Sequence, residues 1–478
     1  MDMFIDGGWQ AAGSGATFPV TDPRSGSLVD SVPAGGAAEA DAAIAAAARA
    51  FADWKTTPMA DRVRIVKACA QSMRDTAAEV GNLLHAELGR PQAACVGEIA
   101  RSADLLDIYA EEGLRLAATM PLGAAPGEKT IVTREPVGVV VAITPFNYPV
   151  TLLMFKLGAA LVAGCTMVAK PSEDTPLSTL KLAAIFHRAG LPAGVFNVVT
   201  GGRELGEALV AHPVPRKIAF TGSVPAGKAI AAAAAQTMKR LTLELGGHSA
   251  AIVCADADLD KAAAAIVRHG FANTGQFCYR VGRVFVERPV YEEFLAKLAE
   301  RARALTLAPA GGEGDLGPLV NEKIFATSAR QSDDARAKGA RILTGGARAT
   351  GPGYDAGFYF PPTLIADATP EMEVMQHETF GPVIGIAPVD SPAEGVALAN
   401  ASPYGLAAFA FTRDLARGLT LCEQLEAGSV WLNDIQRSSH YVPFGGMKES
   451  GLGREKGRYG VESYLEYKTI YLSYEVPQ

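Results

Sequence analysis

Six cysteines are scattered through the 478-residue chain, and Cys278 alone sits in a setting suited to nucleophilic chemistry. It closes the run Asn273-Thr274-Gly275-Gln276-Phe277-Cys278, whose small and polar residues offer backbone donors and room for a substrate. Gly275-Gln276 suggests a tight turn just before the thiol. A cysteine attacks as its thiolate, so it needs a neighbouring base or a positive field. Glu244, in the apolar run Leu243-Glu244-Leu245-Gly246-Gly247, is a carboxylate in an unusual place. Paired, the two residues suit a nucleophile and its general base. The structural alternative is a buried cysteine packed as a small hydrophobe.

Other segments add polar groups at loop positions. Thr144-Pro145-Phe146-Asn147-Tyr148-Pro149 holds an amide between aromatics and two prolines. Such a rigid turn suits Asn147 as an oxyanion donor, against the alternative of an ordinary turn asparagine. Lys170-Pro171-Ser172-Glu173 follows an apolar run. Lys170 and Glu173 there suit ribose hydroxyls, and Glu173 would repel a 2′-phosphate. In Phe220-Thr221-Gly222-Ser223, Gly222 lets backbone approach a phosphate at a helix N-terminus, or Ser223 simply caps the helix. The glycine pattern Gly312-Glu313-Gly314-Asp315-Leu316-Gly317 follows a loop and carries two acids, so it reads as surface rather than as a pyrophosphate cradle. The loops around His377-Glu378-Thr379-Phe380 and Pro443-Phe444-Gly445-Gly446 also set polar groups beside glycines.

The elements that must position these groups follow from periodicity. Helical patterns cover 37–54, 60–88 and 92–118, and Pro121, Gly123, Pro126 and Gly127 break them. An extended arm follows at 131–136. From 138 onward, apolar strands at 139–143, 166–169, 195–199 and 217–220 alternate with helices at 152–162, 176–189 and 228–236. That alternation predicts an α/β fold with a parallel sheet covered on both faces. Ligands bind such sheets at the C-terminal strand ends, where Asn147, Lys170 and Ser223 fall. Beyond Cys278, strands are expected at 281–286, 383–387, 407–411 and 429–432, with helices at 291–305 and 325–338 and a glycine-rich loop at 345–358. The last strand, 469–476, reads as an edge left for another subunit.

Length suggests about three domains. A net charge of -7 argues against nucleic acid or an acidic surface as partner. The cysteines form no CxxC pair and no histidine joins them at ligand spacing, so no metal is expected. Scattered free thiols suit a reducing cytoplasm. No signal peptide or membrane span is expected.

Together TPFNYP, KPSEDTP, FTGSVPAG, LELGG, NTGQFC, ETFGPV, WLND and PFGGMKESGLGRE, in this order, resemble the NAD(P)-dependent aldehyde dehydrogenase superfamily over essentially the whole chain. The resemblance implies a Rossmann-type dinucleotide-binding domain (1–118 and 138–246), an α/β catalytic domain (247–450) and a β oligomerisation arm (119–137 and 451–478). It implies a homodimer or homotetramer whose two unpaired extended segments pair across subunits. It assigns Cys278, Glu244 and Asn147 to catalysis: attack on a small-molecule aldehyde, hydrolysis of the thioester, and stabilisation of the oxyanion. It assigns Thr144, Phe146, Lys170, Glu173, Gly222, Ser223, Glu378 and Phe380 to the cofactor, NAD with NADP possible, and matches Lys156 and Glu455 to a supporting proton relay. Glu244 favours the hydrolytic branch over thioester formation with CoA.

The substrate is left between two classes. The chain is similar to the semialdehyde and lactaldehyde branches, yet Phe155 and Ala272 stand where succinate-semialdehyde dehydrogenases usually carry arginines. Arg280 and Arg437 are the replacement cations for an anionic aldehyde. Phe146, Tyr148, Phe155, Phe277 and Tyr279 are the walls of a pocket for an aromatic or apolar one. A remote alternative is a non-catalytic NAD-binding structural protein.

Overall fold

The computed structural model describes residues 1–121, 125–436 and 438–476. Strand Val139–Ile143 is apolar throughout because both of its faces are covered. It pairs in parallel with Thr166–Lys170 on one side and Lys217–Thr221 on the other. Phe196–Val198 and Arg240–Glu244 extend the parallel set. Antiparallel pieces close the eight-stranded sheet: the hairpin Met3–Ile5 and Gly8–Gln10 at one edge, Gly451–Leu452 at the other. Helix Pro149–Ala163 begins with a proline in its first turn and ends at Gly164 in the left-handed region (φ 92). That helix carries Phe155 and Lys156.

The N-terminal helices differ from expectation at their ends. Ala37–Trp54 has the expected bounds. The 60–88 run is two helices, Met59–Asp75 and Ala77–Leu88, broken at Thr76 (φ -107). There the Thr76 hydroxyl donates to the Ser72 carbonyl at 2.7 Å, a local bond that competes with the helical ladder. The fourth helix, Gln92–Leu114, stops short of 118 because the chain turns to meet the arm: Thr119 bridges Val132. Tertiary pairing here overrides the helix preference of Ala117 and Ala118.

A second, seven-stranded sheet has the order Arg341–Thr344, Thr363–Ala366, Val383–Val389, Val281–Glu287, Ser249–Val253, Ala407–Phe411, Ser429–Leu432. All its neighbours are parallel except the first pair. Strands Ser249–Val253, Arg341–Thr344 and Thr363–Ala366 are additional to those expected from sequence.

The arm corrects one expectation. Its two extended segments are not unpaired: Glu128–Pro136 and Leu465–Ser473 form an antiparallel ribbon with each other along their whole length. Of the stretch 451–478, only Leu465–Ser473 belongs to that ribbon, since Gly451–Leu452 joins the first sheet and Gly457–Glu462 is a short helix. No helix among the described residues is long and apolar enough to cross a membrane.

Candidate active site

The loop before Cys278 is held in an uncommon shape. Asn273 and Thr274 both lie in the left-handed region (φ 48 and 55), which is costly for a β-branched threonine. Side chains over-determine it. The Thr274 hydroxyl donates to the Gly317 carbonyl at 2.9 Å, and Gln276 Oε1 accepts from the Val320 N–H at 2.9 Å. Asn273 Nδ2 donates to the Asn147 carbonyl at 3.0 Å, which ties the Cys278 loop to the expected oxyanion residue. Gly247 passes so close beneath this loop that a Cβ there would lie 2.3 Å from the Cys278 carbonyl oxygen. Cys278 is half-buried. Burial, then the Glu378 and Glu244 carboxylates, push its thiol well above the ordinary range.

Glu244 ends strand Arg240–Glu244, and that strand is why a carboxylate stands in an apolar run: its neighbours pack while its head projects at the C-terminal edge. It is buried, and neither carboxylate oxygen has a hydrogen-bond partner among the described residues. Burial, and then the Glu455 charge, raise its proton affinity well above the usual carboxylate range, with Lys156 opposing. Lys156 is itself fully buried and donates to Glu455 Oε1 at 2.7 Å and to the Thr221 hydroxyl at 2.6 Å. The expected relay pair is therefore in contact, and its charge acts on Glu244. Asn147 is buried, and its Oδ1 has no partner among the described residues.

Thr144, Phe146, Lys170, Glu173, Gly222 and Ser223 follow C-terminal strand ends of the first sheet, while Glu378 and Phe380 lie in the loop before strand Val383–Val389 of the second. Lys170 ends its strand and pairs with Glu173 at 3.3 Å, and burial lowers its pKa. Gly222 and Ser223 join strand Lys217–Thr221 to helix Val224–Ala235, where Ser223 Oγ accepts from the Ala226 N–H at 3.5 Å and so also serves as the cap. The Phe146 and Phe380 rings meet edge-on at 5.7 Å, and Phe380 has a left-handed backbone (φ 55). Glu378 Oε1 accepts from the Gly247 N–H at 3.0 Å, and burial pushes the acid up to about 7. Two features show that these residues fit a nicotinamide dinucleotide. Thr144 has a buried hydroxyl with no partner among the described residues. Gly246 keeps open the cradle of Glu378, since a Cβ there would lie 2.4 Å from Glu378 Oε2.

On the opposite side of Cys278 the walls are aromatic. Phe155 faces Phe444 at 6.3 Å, and Tyr279 meets Phe444 at 5.5 Å and stacks on Trp431 at 5.9 Å. Phe277 packs against Tyr148 at 6.4 Å and Tyr279 at 5.1 Å. Arg280 has no cation–π contact with these rings among the described residues, although His269, which packs on Phe277 and Tyr279, feels its charge. Arg280 is buried on the Glu378 and His248 side, and its Nη1 donates to the Val281 carbonyl at 3.0 Å. The backbone entering strand Val281–Glu287 turns Tyr279 and Arg280 toward different neighbours. Arg437 lies outside the described residues. The sequence reading gives no role of their own to Asn273, to the aromatic wall residue Phe444 or to Lys456. The sequence signal for Lys456 is its place directly after Glu455; its backbone shape (φ 70), which side chains rarely adopt, is visible only in the structure.

Three comparisons place the chain. Residues 9–470 match the model of the aldehyde dehydrogenase family. The chain is 42% identical over 473 residues to a 3-sulfolactaldehyde dehydrogenase of Pseudomonas putida, covering 98% of this chain and 96% of that protein. It is 40% identical to the NADP(+) succinate-semialdehyde dehydrogenase of Escherichia coli (strain K12), covering 97% and 96%. Among solved structures, succinate-semialdehyde dehydrogenase from Burkholderia pseudomallei superposes with a TM-score of 0.96 at 40% identity, covering 99% and 98% of the two chains. With a family match over nearly its full length and such relatives, the chain belongs to the aldehyde dehydrogenase family, oxidoreductases that act on aldehydes with NAD or NADP.

Proposed function

We propose that this enzyme oxidises a small semialdehyde-type substrate to its carboxylic acid by a hydrolytic route through Cys278. The observation that carries this reading is the buried, unpartnered Glu244 carboxylate, whose charge is felt by the Cys278 thiol. The Cys278 sulfur attacks the aldehyde carbon as its thiolate, the thiol proton having passed to solvent. Asn147, fixed by the Asn273 bond, and the Cys278 N–H stabilise the oxyanion of the thiohemiacetal. A bound nicotinamide dinucleotide supplies the hydride acceptor that lets this adduct become a thioester. Thr144, Phe146, Lys170, Glu173, Gly222, Ser223, Glu378 and Phe380 are the residues that would hold it. Glu244 then takes a proton from water, whose hydroxide attacks the thioester and releases the acid. The Glu455 charge raises and the Lys156 charge lowers the proton affinity of Glu244 during that step.

A semialdehyde substrate is supported by the relatives, whose names are those of sulfolactaldehyde, glutarate-semialdehyde and succinate-semialdehyde dehydrogenases. The test uses purified enzyme with succinic semialdehyde and either cofactor. Reduced cofactor and free acid are expected in equal amounts, and Cys278→Ala is expected to lose turnover while cofactor binding, read by fluorescence, survives. Turnover that requires CoA and releases no free acid would remove Glu244 from its role. The enzyme is further read as a cytoplasmic homodimer or homotetramer. The ribbon leaves Tyr467, Tyr471, Leu472 and Tyr474 exposed, apolar surface that suits a subunit contact. Sedimentation of Tyr471→Asp checks this, and an unaltered or monomeric parent species would count against it.

A further inference from the structure

A lysine buried beside the aromatic walls makes no salt bridge among the described residues. Lys456 is 3% exposed, and no carboxylate lies within ion-pair distance of its ammonium among the described residues. Among the described residues its one hydrogen bond from Nζ goes to the Ser438 hydroxyl at 2.8 Å. The ammonium stands 4.9 Å from the Phe155 ring centroid and 4.7 Å from that of Phe444, the two rings that face each other across the pocket wall. Cys278 and Glu244 both act electrostatically on it, as does Glu455. The cation therefore belongs to the pocket that holds the nucleophile, not to the protein surface.

Three physical facts ask for an explanation. Buried charges are ordinarily paired, because desolvation is otherwise uncompensated. Two ring faces and one hydroxyl compensate only part of that cost. The residue also holds a left-handed backbone that glycine would adopt without strain, and such strain persists where the surroundings over-determine it. Here the Lys456 N–H donates to the Tyr109 hydroxyl at 3.2 Å, which pins that shape and aims the side chain. Burial outweighs the neighbouring carboxylates and lowers the lysine to about 8, so it remains mostly charged at neutral pH. Burial and then the Lys456 charge hold His440 below the ordinary imidazole range.

We infer that Lys456, steadied by Ser438, is the specificity-determining residue that receives the anionic head of the substrate, so that the aldehyde itself completes the missing ion pair. This rests on the semialdehyde reading above and replaces Arg280 as its cation. The shared chemistry is a carboxylate or sulfonate a few bonds from the carbonyl carbon. Phe155 and Phe444 then enclose the short chain between the two polar ends. An ammonium is a point charge rather than a fork, so either anion is accepted without bidentate geometry.

The test compares succinic semialdehyde and 3-sulfopropanal with pentanal, a neutral aldehyde of similar reach, on wild type, Lys456→Met and Lys456→Arg. Met keeps the apolar stem between the rings. The preference for each anionic aldehyde, as a ratio of kcat/KM to that of pentanal, is expected to fall about 10- to 100-fold in Lys456→Met, mainly through KM. Lys456→Arg is expected to restore part of it. An equal loss for all three aldehydes would mean that Lys456 only supports the fold of the wall, and would overturn the inference. So would a wild type that prefers pentanal. Should only one anionic aldehyde respond, the anion is identified as that one. Calorimetric binding of succinate to Cys278→Ala, with and without Lys456→Met, reads the anion site alone. Pentanal oxidation by wild type reads the oxidation chemistry alone, so the two failures are distinguishable. Identical succinate binding in both proteins sinks the role of Lys456 whatever the turnover shows.

Discussion

Gly247→Ala is the sharpest probe of how the site is held. A Cβ at position 247 would stand 2.3 Å from the Cys278 carbonyl oxygen, and 3.0 and 3.1 Å from Leu406 side-chain atoms. Leucine atoms can yield by a few tenths of an ångström, but the carbonyl is backbone. It falls roughly 1 Å short of ordinary van der Waals separation, so the Cys278 loop must move by about that much. The loop is already held in left-handed geometry at Asn273 and Thr274, so it has little freedom to absorb the shift without breaking the Asn273–Asn147 bond. A misplacement of about 1 Å at a reacting centre costs on the order of 100-fold in rate. Overpacking of this kind costs about 1–3 kcal/mol in stability, small enough for the fold to survive. The expected outcome is a kcat about 100-fold below wild type and slower iodoacetamide labelling of Cys278, in a protein that still melts cooperatively. Gly206→Ala is the control, since its added Cβ meets Lys170 only at ordinary contact distance, 3.8 Å. A Gly247→Ala enzyme within about threefold of wild type would refute the claim that this close approach sets the position of the thiol.

Glu244→Gln is expected to lower kcat about 10²- to 10⁴-fold while the first turnover still yields a burst of reduced cofactor. Mass spectrometry then finds the acyl group on Cys278, and steady multiple turnover at the wild-type rate would clear Glu244 of any role as base. Lys156→Met leaves the buried Glu455 carboxylate without its 2.7 Å partner, so a loss of about 3–5 kcal/mol is expected in urea unfolding; a loss below about 1 kcal/mol would show that Glu455 does not depend on this pair. Glu87 accepts from the Leu177 and Ser178 N–H groups at 2.7 and 3.1 Å, and burial raises it to about 7 from an ordinary 4.5. The folded state then holds a proton that the unfolded state has lost, so this contribution is fully present below pH 4.5 and is lost as pH rises through 7. Glu87→Gln is expected to flatten that part of the stability profile, worth up to about 3 kcal/mol, and an unchanged slope would contradict the burial argument.

The α/β class was legible because each sheet strand is a short, continuous apolar run bounded by breakers, and because such runs alternate with helical periodicity. The boundaries that slipped did so where a distant partner decided them. Thr119 left its helix to pair with Val132, and the arm at Glu128–Pro136 found its partner in Leu465–Ser473 at the other end of the chain. Cys278, Glu244 and Asn147 stood out locally, each a polar group set among glycines, prolines or apolar neighbours where packing alone offers no reason for it. Which way a side chain leaves the backbone is another matter. Arg280 and Tyr279 are adjacent in sequence, yet one is buried beside Glu378 and the other stacks on Trp431. Lys456 reads in sequence as one more charge in a polar segment, and only folding surrounds it with Phe155, Phe444 and Ser438. The residue types and their local spacing thus determined the fold class and the candidate reactive groups, because those depend on short-range periodicity and on the chemistry of single side chains. The tertiary structure alone decided which charges face the reacting carbon, because burial and charge pairing are properties of segments brought together from far apart in the chain.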